Sequence, residues 1–256
     1  MQAKKSYGQH FLKDDHIALR IADSLQRTGE SGRVLEVGPG MGMLTKHLLA
    51  HTDYETYAVE ADRDMVEYLQ KNYPALTPRL ILKDFLDFDP TTVFGQDSFS
   101  LIGNFPYNIS TQILFKMLDY RSLIPEMVGM FQKEVADRVV SKEGGKVYGI
   151  TSVLMQAFYK VEYLFSVAPG SFNPPPKVQS AVIHLTRKDN FELGCDEAVF
   201  RRVVKTAFNQ RRKMLRNTLK PFIAQEVLMS DPFYEKRPET LGWEEYVRLA
   251  NLIKPI

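Results

Sequence analysis

Four short stretches of the chain carry residue types that do chemistry together. The first is Val34-Leu35-Glu36-Val37-Gly38-Pro39-Gly40-Met41-Gly42, an apolar strand signal running into closely spaced glycines. Glycine tolerates positive φ and lets backbone approach a ligand closely, as a nucleotide-type site requires. Roughly twenty residues on, a second apolar run ends in Glu60, placed for ribose hydroxyls. A third ends in Lys83-Asp84-Phe85, where Asp84 is placed for an adenine amino group. The spacing departs from the G-x-G-x-x-G of dinucleotide sites, and Glu36 stands on the strand just before the loop. A pyrophosphate disfavours a neighbouring carboxylate, whereas a sulfonium and an amine favour one. The pattern therefore points to S-adenosylmethionine over NAD, with a plain tight turn as the alternative.

The fourth stretch, Asn104-Phe105-Pro106-Tyr107, follows the fourth apolar run. An asparagine amide and a carbonyl held beside a proline make a rigid pair of acceptors, and the tyrosine adds a stacking face. This suits a flat base with an exocyclic amine. An ordinary turn is the competing reading, weakened by the glycine loop, Glu60 and Asp84 nearby.

These stretches need a scaffold that brings strand ends together. Apolar runs at 34–37, 56–59, 80–82, 99–102 and 127–131 lack polar alternation, as strands buried on both faces do. Between them Asp14 or Asp15 is expected to cap a helix reaching about Gln26, Asp62 a helix over 63–71, and Ser110 a helix over 110–119, with another at 45–50. An apolar helix near 147–158 precedes strand signals at 161–167 and 178–185, separated by the loop Asn173-Pro174-Pro175-Pro176. Beyond a polar boundary near 186–189, helical periodicity appears at 196–208, 211–219 and 241–252. The alternation predicts a three-layer α/β domain over 1–186 and a small helical domain over 187–256.

Composition narrows the class. The chain has 256 residues, 44% hydrophobic and 25% charged, ordinary globular proportions. The single cysteine, Cys195, forbids an internal disulfide and a Cys-rich zinc site, and the five histidines show no metal-ligand spacing, so no metal is expected. No run approaches a membrane span, and the residues after Met1 hold no apolar signal core, so a cytoplasmic protein without a membrane partner is expected. Charge is asymmetric: residues 1–186 hold 19 Lys+Arg against 21 Asp+Glu, a net of −2, while 187–256 hold 14 against 10, a net of +4. Within 201–220 stand Arg201, Arg202, Lys205, Arg211, Arg212, Lys213, Arg216 and Lys220, with no acidic residue among them. Such a run points to a polyanion such as RNA, against simple solubility as the alternative. Lys4, Lys5 and Lys13 are candidates to extend that footprint.

Taken together the motifs resemble the KsgA-type small-subunit ribosomal RNA adenine dimethyltransferases over essentially the whole length. The matching stretches are Gly8-Gln9-His10-Phe11-Leu12, Glu36-Val37-Gly38-Pro39-Gly40, Asn104-Phe105-Pro106-Tyr107-Asn108-Ile109-Ser110, Gln132-Lys133-Glu134-Val135-Ala136 and Phe172-Asn173-Pro174-Pro175-Pro176-Lys177-Val178. The resemblance implies a Rossmann-like class I methyltransferase fold with a seven-stranded sheet. It implies methyl transfer from S-adenosylmethionine to the N6 atoms of two adjacent adenines in a 3′-terminal hairpin of 16S rRNA. The implied partner is small-subunit rRNA within an immature 30S particle, met by a monomer with a part in ribosome biogenesis. Cofactor contacts carry over to His10, Leu12, Gly38, Glu60, Asp84 and Asn104. His10 stands where many members have asparagine, and Phe105 where leucine is common.

An adenine N6 lone pair is delocalised and weakly nucleophilic. Acceptance of its two hydrogens by Asn104 and the Phe105 carbonyl favours a pyramidal nitrogen that attacks in line, with Pro106 fixing the turn. Such chemistry asks for positioning rather than a metal or titratable base. The flipped base is expected to stack on Tyr107; Phe172 is either the second stacking ring or a core plug. Three rival functions share these residues: modification of a large-subunit adenine, a non-catalytic assembly role, and methylation of DNA adenine.

Overall fold

A computed structural model describes residues 10–26 and 32–253. Its centre is a seven-stranded sheet in the order β4-β3-β2-β5-β6-β9-β7. The strands are β2 (Arg33–Val37), β3 (Glu55–Glu60), β4 (Leu80–Leu82), β5 (Ser100–Asn104), β6 (Glu126–Gln132), β7 (Tyr159–Val167) and β9 (Ser180–Arg187). From β4 to β6 neighbours run parallel; β9 is antiparallel to β6. Each of the five uninterrupted apolar runs lies in or against one of these parallel strands, because helices cover both faces and polar alternation would bury unpaired groups. In β2, Val34, Leu35, Glu36 and Val37 are all buried.

Strand order reverses direction between β2 and β5, which pair from Val34↔Ser100 to Glu36↔Ile102. At such a switch point the following loops part and leave a crevice at the carboxyl edge. The glycine turn leaves β2 there and Asn104 ends β5 there.

The helices follow their caps. Helix α1 (Asp15–Ala22) starts on Asp14, whose carboxylate accepts the Ile17 N–H at 3.2 Å. After the short α2 (Thr45–Leu48), α3 (Arg63–Asn72) starts on Asp62, which accepts from Asp64 at 3.1 Å. A short α4 (Thr91–Phe94) precedes β5. Helix α5 (Ser110–Asp119) corrects one expectation: Ile109 is its cap position, and the Ser110 hydroxyl donates to the Tyr107 carbonyl at 3.1 Å. Sequence periodicity did not single out α6 (Lys133–Val140).

A separate two-stranded sheet pairs β1 (Phe11–Leu12) antiparallel with β8 (Phe172–Asn173). It ties the chain near the amino terminus to the segment entering the proline-rich loop.

The chain forms two compact units: residues up to Ala136 with Glu162–Arg187, and Asp137–Val161 with the chain from Lys188 onward. Sequence reading placed 137–161 in the first domain. Helix α7 (Ile150–Phe158) instead packs with α8 (Glu197–Asn209) and with α11 (Trp243–Asn251), the last helix. Almost all of α7 is buried, and a helix apolar on every side needs helical neighbours to cover it. The second unit also holds α9 (Leu215–Thr218), shorter than the 211–219 expected, and α10 (Gln225–Ser230).

Candidate active site

The carboxyl ends of β2 to β5, with residues 10–12 beside them, line one cavity in the first unit. His10, Leu12, Gly38, Glu60, Asp84 and Asn104 all lie on its wall, as do Phe105, Pro106 and Tyr107.

Gly38 is the first residue after β2 and adopts φ +67°, in the left-handed region that favours glycine; its N–H donates to the Val59 carbonyl at 2.9 Å. Glu60, 6% exposed, is held by the same loop. One carboxylate oxygen accepts the Gly40 N–H at 3.1 Å and the other the Asp62 N–H at 2.9 Å. Burial raises its pKa despite those two donors. A carboxylate has about four acceptor sites, so these backbone donors do not exhaust Glu60 and it can still accept from a hydroxyl. Asp84 is exposed on the rim, and its Oδ1 accepts the Leu86 N–H at 2.8 Å.

Glu36 departs from the expected standing negative charge. It is fully enclosed, accepts the Thr45 hydroxyl at 2.7 Å, and burial, with the charge of Glu60 adding, pushes its pKa up to about 8. At neutral pH this carboxyl is largely protonated. A cation placed against it would recover the charged form, so the group fits a ligand carrying a sulfonium or an amine.

The Asn104-to-Tyr107 turn is fixed atom by atom. The Asn104 amide nitrogen donates to the His10 carbonyl at 3.1 Å, which leaves Oδ1 as the end for a donor. The Phe105 N–H donates to the Met130 carbonyl at 3.2 Å, and its ring, 1% exposed, is packed on Phe131. Gly103 and Gly129 make room for that ring: a Cβ at Gly129 would come within 2.3 Å of it. The side chain of Phe105 is thus core, and only its backbone is left for the site. Pro106 packs against Gly38, where an added Cβ would lie 3.9 Å away. The Tyr107 hydroxyl is hydrogen-bonded to Ser180 at the start of β9, burial raises its pKa, and its ring stacks on His10 with centroids 5.3 Å apart.

Phe172 is not on the cavity wall. It is 1% exposed in the core with Leu12, Ala18, Ile21, Val167 and Val182, which favours the plug over the stacking ring. Ser180 and Thr45 are partners sequence reasoning missed; each becomes legible only once the strand neighbouring it in space is known.

The basic run lies in the second unit. Lys205, Arg212, Lys213 and Lys220 are exposed. Arg201 pairs with Glu197 at 2.8 Å and Arg216 with Glu235 at 3.0 Å. Arg211 donates to the Gly145 carbonyl at 3.1 Å, and Arg202 lies over the Phe222 ring at 5.1 Å. Lys13 is exposed; Lys4, Lys5, Gly8 and Gln9 lie outside the described residues. Among the described residues no group of three or more His, Cys, Asp and Glu is placed to hold a metal ion, and no helix is long and apolar enough to cross a membrane.

Residues 1–235 match the family described as ribosomal RNA adenine dimethylase. The ribosomal RNA small subunit methyltransferase A of Cytophaga hutchinsonii is 53% identical over 253 residues, covering 99% of this chain and 98% of that protein. The protein of the same name from Flavobacterium johnsoniae is 52% identical, covering 99% and 97%. Among solved structures, a dimethyladenosine transferase from Plasmodium falciparum superposes with a TM-score of 0.77 at 27% identity, covering 94% of this chain and 96% of that one.

Proposed function

The chain belongs to the ribosomal RNA adenine dimethylase family, and from that premise we propose an S-adenosylmethionine-dependent enzyme that dimethylates adenine N6 in small-subunit rRNA. We place the reaction on two adjacent adenines of a 3′-terminal 16S hairpin, within an immature 30S particle, by a cytoplasmic monomer acting in ribosome biogenesis. One observation carries the chemistry: Asn104 and Tyr107 share a cavity with Glu60 and Asp84 at the β2–β5 switch point.

S-adenosylmethionine supplies an electrophilic methyl on a sulfonium. Glu60 is assigned to its ribose hydroxyls, Asp84 to its adenine amino group, and Glu36 to its positive end, with Leu12 and Gly38 closing around it. Asn104 Oδ1 and the Phe105 carbonyl accept the two N6 hydrogens of the target adenine, which draws the nitrogen lone pair out of the ring. Tyr107, anchored through Ser180, holds the ring plane. Transfer breaks the methyl–sulfur bond, S-adenosylhomocysteine leaves, and the methylated nitrogen, now cationic, gives one of its two protons to solvent. Either acceptor can take the N–H that is left while the amine rotates for the second transfer. Exposed Lys205, Arg212, Lys213 and Lys220 are assigned to RNA phosphates.

The test is single-turnover methylation with RNA and S-adenosylmethionine both saturating. Asn104→Ala is expected to slow it on the order of 10²–10³-fold, the cost of removing one preorganised polar partner of a transition state. A near-wild-type rate would place the chemistry on another residue.

A further inference from the structure

Residue 10 holds both ends of the catalytic turn, in two ways. Its backbone carbonyl accepts the Asn104 amide nitrogen at 3.1 Å. Its imidazole stacks on the Tyr107 ring with an interplanar angle of 30°, and its Nδ1 lies 2.9 Å from the Pro174 carbonyl, just past β8. The ring is therefore braced from the loop beyond β8, and β8 is itself paired with β1. A base inserted between two rings needs about two stacking distances, roughly 7 Å, more than the 5.3 Å between these centroids.

We propose that His10 is a positioning residue with a divided role: its carbonyl fixes the Asn104 amide, and its imidazole is a placeholder on the Tyr107 face that the target adenine must displace. The proposal rests on the assignment of Asn104 and Tyr107 as the adenine seat. The two parts of His10 have opposite consequences. Substitution leaves the carbonyl and hence the orientation of the Asn104 oxygen. Removal of the ring takes away a competitor of the base, so the site releases one aromatic pair fewer when RNA binds. The adenine of the donor is served by Asp84 at the end of β4, so a preference at Tyr107 acts on the target base and hence on which nucleotides enter. The placeholder thereby filters substrates: a base that stacks too weakly to displace the imidazole is refused.

The experiment measures affinity for an RNA hairpin carrying two adjacent adenines, with S-adenosylhomocysteine saturating, for wild type, His10→Ala, His10→Phe, Tyr107→Ala and the Tyr107→Ala/His10→Ala pair. His10→Ala is expected to bind the hairpin about threefold to tenfold more tightly, the range that corresponds to one lost aromatic pair. His10→Phe, which restores a ring on Tyr107, is expected to return most of the way to wild type. In turnover, with S-adenosylmethionine saturating so that any loss of a cofactor contact at His10 is masked, the gain is read as a lower KM for RNA. On the Tyr107→Ala background the gain disappears, because the stacking face is gone. Equal or weaker binding by His10→Ala overturns the placeholder, as does a His10→Phe variant that matches His10→Ala. If Tyr107→Ala itself leaves hairpin affinity unchanged, the adenine seat is wrong, a separate failure read in the same titration.

Discussion

At the scale of single residues, the Glu36 carboxyl links cofactor binding to pH. Its pKa of about 8, raised chiefly by burial, means that the protein releases a proton when a cation settles against it. Affinity for S-adenosylmethionine is therefore expected to rise by up to about tenfold per pH unit below 8 and to level above it. Glu36→Gln flattens that slope; calorimetry in buffers of different ionisation enthalpy reads the proton directly. An unchanged slope in the variant would remove Glu36 from the cofactor's positive end. The same linkage acts on stability, because the folded state binds the proton more tightly than the unfolded one. Stability from this group is full at acid pH and falls as pH rises from the ordinary carboxylate range through 8. The Tyr107 ring gives a second expectation. Tyr107→Ala should cost about 1–3 kcal/mol of base stacking. Tyr107→Phe and Ser180→Ala should cost less and resemble each other, because each removes only the bond that orients the ring. A Ser180→Ala defect as large as that of Tyr107→Ala would mean that the serine itself meets the substrate.

At the scale of elements, Phe172 decides between packing and chemistry. Its ring lies in the core beside Ile21 and Val182, so Phe172→Ala is expected to lower unfolding free energy by about 3–5 kcal/mol, read by denaturant titration. A stable variant that has lost only RNA affinity would return Phe172 to the stacking role. What the sequence made legible was local. The buried parallel strands were readable because they show neither polar alternation nor helical period, and the caps at Asp14 and Asp62 because an Asx side chain precedes each helix. The glycine turn and the Asn104–Tyr107 turn were readable because their residue types have few other uses. Long-range pairing was not. The β1–β8 ribbon is two residues a side, and its partners lie 162 positions apart at Phe11↔Asn173 and 160 apart at Leu12↔Phe172, so no periodicity announces it. For the same reason the Tyr107–Ser180 bond and the His10 contacts could not be inferred, although every residue concerned except Ser180 stood in a recognised motif. The placement of 137–161 failed differently: an apolar helix declares that it is buried but not by which neighbours.

At the scale of the whole molecule, charge separates the two tasks. The cavity is lined by Glu36, Glu60 and Asp84, whereas the exposed basic residues of 201–220 lie in the other unit. Cofactor affinity should therefore respond little to changes in the basic run. With about four phosphates neutralised by Lys205, Arg212, Lys213 and Lys220, log affinity for RNA against log salt is expected to slope near −3 to −4. Arg212→Gln with Lys213→Gln should flatten it by roughly 1.5–2. Arg211→Gln is expected to act on stability instead, since that guanidinium is spent on the Gly145 carbonyl and lies 3.9 Å from Glu239. An unchanged slope in the double variant would return the run to a solvated face.

The most direct test of the assigned reaction is to incubate the protein with labelled S-adenosylmethionine and, separately, unmodified small subunits, large subunits and DNA, and then to map the modified bases. The expected result is N6,N6-dimethyladenosine at two adjacent positions of the small-subunit rRNA and no label elsewhere; label confined to large-subunit rRNA or DNA, or none on small subunits, would contradict it.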